Sequence, residues 1–513
     1  MAVSQDRKYT SDYVYNLLES VIGRTLGEVD DTGSKQFDRT LKSNKITGIA
    51  GDVIEQSVFG YARDSKQECD IEIDGLLTEL KTTGVRIPKN DFIKVKGKKF
   101  KEYSKYYGAK EGISITGVTF EPTIQTDFMT SHLWEKSERL LIVFYEYDSY
   151  DVVPASSYRD FKIVGYCLNS FSEEELQKLR NDWEIVRDYL MSKYQEYENV
   201  DERNKALIGF THILRPNLLL IELVPGFKRK SNGAYQRPRY RLKKTFVDSI
   251  VKGHFNKSRK EISLKESFSS FSELDLKCHD LTHQYGGKTL AELKRLLNIE
   301  IDISAKHFTS RCIVKMFEAG CKMLNQIEDF TKTGIIAKTI TVTPSGRRTE
   351  DMKLAPVDFE EWADRDIDFE ESEVYTYFNE HSFLCPIFCE RDNKNTEKTT
   401  FEGFKRFSFD DNFIEKEVRR MWEDSRALIH QNKLVMEISY DKNGSPIKNK
   451  SGEFKSAPNL PKSSQYNVFF RGGANDSSES SKTEIVNNIK MIPQFVWLKG
   501  AYISSKLASL KYL

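Results

Sequence analysis

Five short stretches of this chain occur twice, in the same order. GRTLGE at 23–28 returns as GKTLAE at 287–292, and LKTTGV at 80–85 as AKTITV at 337–342. IVFYEYD at 142–148 is answered by PIFCERD at 386–392, NDWE at 181–184 by RMWE at 420–423, and RLKKTF at 241–246 by WLKGAY at 497–502. The separations all lie between roughly 240 and 265 residues. An ordered echo of this kind predicts a duplicated domain, and 513 residues exceed what one hydrophobic core holds. The expected boundary is the Ser/Lys-rich stretch at 252–273, which has no apolar period. The expected division is therefore residues 1–255, a linker at 256–273, and residues 274–513.

Each half opens on helical patterns such as SDYVYNLLESVI and GDVIEQSVFGYA, whose apolar positions recur every three to four residues. Strand patterns follow in DGLLTELKTT, RLLIVFYEYD and NLLLIELV, with a charged helix in EEELQKLRNDWEIVRDYLMSKY between the last two. Helices mixed with a few strands predict an α/β (mixed α+β) fold, each half a central mixed β-sheet flanked by helices.

Composition narrows the function classes. The net charge is +1, so any nucleic-acid surface must come from local segregation of charge. The longest oily runs fall far short of the roughly 20 residues a membrane span needs. MAVSQDRKYT has no apolar core of a signal peptide, and seven scattered cysteines form no disulfide framework, so a reduced, cytoplasmic protein is expected. Other metal and nucleotide motifs fail: His279 and His283 have no CxxC pair beside them, Cys385 and Cys389 sit in an apolar strand pattern, and no phosphate-binding G-x-x-x-x-G-K-[ST] loop occurs.

CDIEIDGLLTELKTTGV, residues 69–85, is the stretch with chemistry in it. In a strand, residues i and i+2 face the same way, so Glu79 and Lys81 project side by side, with Asp70 and Asp74 on the approach. Acid-x-Lys is common here, as Asp64–Lys66 and Asp160–Lys162 show, and a strand-edge ion pair accounts for the spacing equally well. Carboxylate oxygens nevertheless suit Mg²⁺, and a neighbouring lysine suits charge developing on a phosphate oxygen. Glu55, on the preceding helical pattern, reads either as a further acid of that site or as an exposed helix residue.

GDVIEQSVFG, CDIEIDGLLTELKTT and MTSHLWEKSERLLIVFYEYD together resemble the MutH-like nucleases, and more narrowly the Sau-type restriction endonucleases that cut at GATC. VRRMWEDSRALI and QYNVFFRGGAND extend the likeness into the second half. The resemblance implies two tandem restriction-endonuclease-like domains and a type II restriction endonuclease. The chemistry implied is Mg²⁺-dependent hydrolysis of double-stranded DNA at GATC, before the G, leaving 5′-phosphate ends. A MutH-like nicking enzyme and a non-cutting DNA-binding regulator are the competing readings. Residue by residue, the resemblance makes Asp70 and Glu79 metal ligands, with Lys81, Glu55 and Lys136 completing the catalytic set. Eight residues separate Asp70 from Glu79, against about six in the family, which leaves Asp74 as the alternative ligand.

GFKRKSNGAYQRPRYRLKK, residues 226–244, carries eight Lys/Arg and no acid, the charge that phosphate contact and base readout require. Tyr240, Arg241, Lys243, Lys244, Arg239 and Arg237 are the expected DNA-binding residues. In the second half Lys338 answers Lys81, but Ile336 stands for Glu79, Ile313 for Glu55 and Glu380 for Lys136. That half is expected to be a degenerate, DNA-binding, allosteric domain. One active site per chain and a palindromic target imply a DNA-induced dimer. A cognate DNA methyltransferase in the host and no membrane partner complete the expectation.

Overall fold

The computed structural model describes residues 7–42, 46, 48–61, 68–88, 98–149, 153–224, 237–257, 262–347, 350–365, 367–392, 395–449, 452–474 and 478–513. The chain is a mixed α/β fold. In the first half, β1 (Lys8–Tyr9), β2 (Ile71–Ile73), β3 (Leu76–Arg86), β4 (Gly108–Ala109), β6 (Leu140–Glu146) and β7 (Ile163–Asn169) form one sheet in the order β1-β2-β3-β6-β7, with β4 on the far end of β3. A second sheet has the order β5-β9-β8, from Ile113–Gly117, Arg239–Leu242 and Ile221–Val224. The run LLIVFYE becomes β6 because it is apolar on both faces. It lies parallel to β3 and antiparallel to β7 with helices over it, so nearly every side chain is buried.

The second half repeats the plan. β10 (Ile335–Ala337) and β11 (Ile340–Val342) lie parallel to β13 (Ser382–Cys389), which pairs antiparallel with β14 (Thr400–Ser408). Pro386 on β13 has no N–H for the ladder, and it lies opposite the break between β10 and β11. β12 (Met352–Pro356), β20 (Gln494–Leu498) and β17 (Val468–Gly472) form the smaller sheet, in the order β12-β20-β17. Two hairpins, β15–β16 (Met436–Ile438 with Ser456–Pro458) and β18–β19 (Glu484–Val486 with Ile489–Met491), complete the strands.

The repeated GxTLxE motif builds the same joint twice. Thr25 and Thr289 cap the helices Leu26–Asp31 and Leu290–Leu296, each in a capping box with Glu28 or Glu292. Gly23 and Gly287 turn with φ of 82° and 75°, a region open to glycine without a Cβ clash. The amides of Gly23 and Leu26 donate to the carbonyls of Ile163 and Phe161, and those of Gly287 and Leu290 donate to Phe401 and Thr399. The start of each half is thereby laced to the strand that follows its central one.

The stretch 256–273 is not a free tether where it is described. Leu264, Phe268 and Phe271 are buried, Asn181 donates to Ser269, and Lys178 donates to Ser267. One hydrophobic cluster runs from Val85, Phe144, Val186 and Leu220 through these residues to Phe317, Phe330 and Phe404. The Ser/Lys composition concealed this, because Ile262, Leu264, Phe268 and Phe271 are set among more numerous serines, lysines and acids.

Charged groups seal the contact. Arg215 pairs with Asp411 at 2.8 Å and donates to the Phe409 carbonyl at 2.8 Å, and Arg86 pairs with Glu373. Arg241 lies 2.5 Å from Glu222 and 3.8 Å from Glu380. Burial, then the charge of Glu222, raises the Glu380 carboxyl to about 8 against the pull of Arg241. Its unfolded value is 4.5, so the unfolded chain gives up this proton first and stability falls as pH rises from 4.5 to 8. Glu380→Gln is therefore expected to stabilise by about 1–2 kcal/mol at pH 8 and negligibly at pH 4, in denaturant titrations. Arg241 keeps Glu222 in that variant.

Candidate active site

β2 and β3 form a hairpin whose register explains the acids. Ile71 pairs with Thr78 and Ile73 with Leu76, so the residue before β2, Asp70, falls opposite Glu79. Asp74 and Gly75 make the two-residue turn, both with positive φ, 52° and 78°, as an Asp-Gly hairpin turn requires. The eight residues between Asp70 and Glu79 are thus two strand segments and their turn. Lengthening such a hairpin by a residue pair leaves its base acids facing each other.

Asp74 sits at the other end. It is fully exposed, accepts from the Ser11 amide at 3.0 Å and from the Ser11 hydroxyl, and that hydroxyl bond first of all lowers its pKa. The alternative assignment of Asp74 as a metal ligand fails on this geometry. Asp70→Asn is expected to cut cleavage by about a hundredfold or more, and Asp74→Asn to stay within about threefold of wild type. Initial rates on plasmid DNA separate the two.

Glu79 is the hub. Its side chain is 4% exposed, and its two oxygens take Lys81 Nζ at 2.6 Å and Lys136 Nζ at 2.8 Å. Lys136 reaches in from the helix His132–Ser137, which Ser131 caps, and also donates to the Glu68 carbonyl. Burial alone would lower the Lys136 pKa, but the hydrogen bond and charge of Glu79 turn the net shift upward. Asp70 accepts from the Leu80 amide at 2.9 Å. Burial, then the charge of Glu79, raises its pKa.

Glu55 arrives from the turn that follows a helix packed on β3. The helix Ile49–Val53 widens into a π-turn at Ile54–Val58, a geometry common at functional sites. A Cβ at Gly51 would stand 3.6 Å from Thr82 Oγ1 on β3 and 3.9 Å from Glu55 Oε1, so the helix passes close to the strand beside that carboxyl. Burial, then the charges of Asp70 and Asp52, raises Glu55 to about 7. Sequence reasoning missed Tyr61. It is 7% exposed and within the fields of Asp70 and Glu55, and its hydroxyl has no hydrogen-bond partner among the described residues. Nothing in its spacing distinguishes it from the other tyrosines. Burial, then the charge of Glu79, pushes the thiol of the adjacent Cys69 up to about 11, away from its thiolate form.

Among the described residues no set of three or more His, Cys, Asp or Glu side chains forms a metal cage. Mg²⁺ does not need one: it takes one or two carboxylates and keeps water or substrate oxygens elsewhere. Asp70 and Glu79, facing each other across the hairpin, fit that demand.

Residues 59–182, which include Asp70, Glu79, Lys81 and Lys136, match the family model described as MutH, DNA mismatch repair enzyme MutH. The chain is also 23% identical over 529 residues to the type II restriction enzyme Sau3AI of Staphylococcus aureus, covering 98% of this chain and 99% of that enzyme. Over the stretch that carries the acids the chain is thus similar both to the MutH family and to a Sau-type restriction enzyme. Both halves of the chain lie within the alignment to the Sau-type enzyme, whereas the MutH match covers only the half with the acids.

The DNA-binding residues expected of a MutH/Sau-type enzyme are divided by the structure. β9 is the middle strand of its sheet, so Tyr240 is buried in the core and Lys243 is buried with its ammonium donating to the Leu218 carbonyl. Arg241 is held by Glu222, and Lys244 lies 3.7 Å from Glu373. Tyr240 and Lys243 are thus part of the interior, whereas Arg241 and Lys244 stay partly exposed beside their carboxylate partners. Arg237 and Arg239 remain exposed, and 226–236 of the same basic stretch lie outside the described residues. No helix among the described residues is long and apolar enough to cross a membrane.

Proposed function

We propose that the protein is a type II restriction endonuclease that hydrolyses double-stranded DNA at GATC, before the G, leaving 5′-phosphate and 3′-hydroxyl ends. The single observation that carries this is Glu79, opposed to Asp70 across a hairpin and flanked by Lys81 and Lys136. Asp70 and Glu79 would hold Mg²⁺, which when bound supplies a Lewis acid for the phosphodiester. Lys81, the more exposed of the two lysines, is placed to steady charge on a phosphate oxygen. Lys136, nearly buried, fixes the Glu79 carboxylate in one orientation. Glu55, at about 7, is poised to accept a proton near neutral pH.

The proposed division is a catalytic domain at 1–255 and a degenerate DNA-binding domain at 274–513. The protein acts in the cytoplasm, beside a methyltransferase that protects host DNA. Arg237 and Arg239 are the proposed DNA contacts. Incubation of the purified protein with plasmid and Mg²⁺, followed by end sequencing, tests this: discrete fragments ending at GATC support it, and nicked circles or intact DNA refute it. Since one chain carries one constellation and a palindrome presents two scissile bonds, two chains meet at one site. DNA with two GATC sites is then expected to be cut faster per site than DNA with one, in a comparison of matched plasmids.

A further inference from the structure

The π-turn that carries Glu55 runs on into Tyr61, and contacts on two sides hold that tyrosine. Its amide donates to the Glu55 carbonyl at 3.3 Å, so the ring and the Glu55 carboxyl leave one closed stretch of backbone. On the other side the Arg7 guanidinium stands 4.4 Å over the Tyr61 ring. The Arg7 carbonyl accepts from the Glu72 amide at 2.9 Å. β1 lies parallel to β2 with Lys8 opposite Glu72, a register that continues to Arg7 beside Ile71, one residue from Asp70. The ring is thereby set between the turn that bears Glu55 and the strand end that bears Asp70.

The hydroxyl on that ring has nothing to bond. It is shut off from solvent, and no described residue accepts from it or donates to it. Buried polar groups almost always find a partner, and one left alone costs stability until a water or a ligand completes it. Burial, then the charges of Asp70 and Glu55, raises the pKa of the phenol, so it keeps its proton and can only donate at neutral pH. Neither acid takes that proton directly, and Asp70 is bonded instead by the Leu80 amide. One donor and two carboxylates that do not bond to it are what a single water needs. The water oxygen accepts from the phenol, and its two hydrogens go to the acids.

We propose that Tyr61 is a further positioning residue of the active site, its hydroxyl donating to a water held between Asp70 and Glu55. This rests on the reading of Asp70, Glu79 and Glu55 as the hydrolytic site, and adds the group that fixes where the attacking water waits. The phenol takes one lone pair of that water and leaves the other for the phosphorus. As the new P–O bond forms, Glu55 accepts the proton of the water, and the 3′-oxygen leaves with its electron pair and takes a proton from solvent. Without the phenol the water is free to turn, which costs rate and not affinity.

The test is Tyr61→Phe in the full chain, which keeps the ring under Arg7 and removes one oxygen. On plasmid with Mg²⁺, kcat is expected to fall about thirtyfold, while KM and metal-free duplex binding stay within about threefold. The variant should melt within about 4 °C of wild type in metal-free buffer, since the hydroxyl has no protein partner to lose. A crystal structure of the metal-free wild type should show a water within about 3 Å of Tyr61 Oη that is missing from the variant. A wild-type kcat in the variant would overturn the proposal, even with the water in place, and would leave Asp70 and Glu79 as the active site. So would a loss of kcat matched by weaker binding and a lower melting point, which would make the tyrosine a structural one. A hydroxyl bonded to a protein group in that crystal structure would overturn it too. Full cleavage by Glu79→Gln would sink the underlying active-site reading, whatever Tyr61→Phe does.

Discussion

Glu79→Gln will lower DNA cleavage by at least about a thousandfold while leaving duplex binding within about threefold. The two lysines bound to Glu79 make this residue the one whose charge the whole site is arranged around. Glutamine keeps the shape and loses the charge, so a folding defect is not confounded with a chemical one. Glu79→Ala is the poorer probe, because it removes even the amide oxygen that glutamine would leave to accept from Lys136, whose side chain is 9% exposed. An unpaired buried charge of that kind costs about 1–3 kcal/mol or more. Lys81→Ala should match Glu79→Gln in its loss of rate yet melt close to wild type, since Glu79 retains Lys136. Rates are read on plasmid with Mg²⁺, binding on a short duplex without it. Cleavage near the wild-type rate in either variant would end the assignment of the active site.

A chain ending at Lys252 will not behave as a small working nuclease. It will be insoluble, or compact without a cooperative melt. A flexible tether at 256–273 would have permitted a functional fragment, but the cluster that contains Val186, Leu220, Val247 and Val251 also contains Leu264, Phe268, Phe271 and Phe330. The helix Lys244–Phe255 packs on the helix Glu328–Lys332 of the other half, and the Thr245 hydroxyl donates to the Lys332 carbonyl. Each such apolar side chain left in water costs about 1.5–3 kcal/mol, so losing several cancels the roughly 5–15 kcal/mol that holds a domain folded. The truncation also leaves Arg215 without Asp411. The intact chain should instead lose both halves in one transition, as followed by circular dichroism and by fluorescence of Trp183 and Trp422. A soluble, cooperatively melting 1–252 fragment would show that the shared cluster contributes little.

The sequence made much of this legible because the informative signals were local. Alternation put Glu79 and Lys81 on one face, and Asp-Gly marked the turn that sets Asp70 opposite Glu79. It could not reveal what holds Asp74 at that turn, since its partner Ser11 lies 63 residues away. The basic run ending at Lys244 misled for a similar reason. Its charge is plain in one dimension, but Glu222, Glu373 and Glu380, which pair with Arg241 and Lys244 at its end, arrive from other strands and helices. Burial of Leu264 and Phe268 was equally hidden: with Phe271 they are spaced four and three apart, but the serines and lysines around them outweigh so short a pattern.

The twin Thr-Glu joints bear on how such a chain ages through evolution. Their hydrogen bonds satisfy backbone groups at a helix start and a strand edge, a demand that any working copy of the fold must meet whatever chemistry it performs. Acids that bind a metal answer only to the reaction, and once one copy cuts DNA the other is free to exchange them for isoleucine. On the proposed reading of the second half as a degenerate copy, its ancestry is best sought in the residues that close its own main chain, where Gly287, Thr289 and Glu292 repeat Gly23, Thr25 and Glu28.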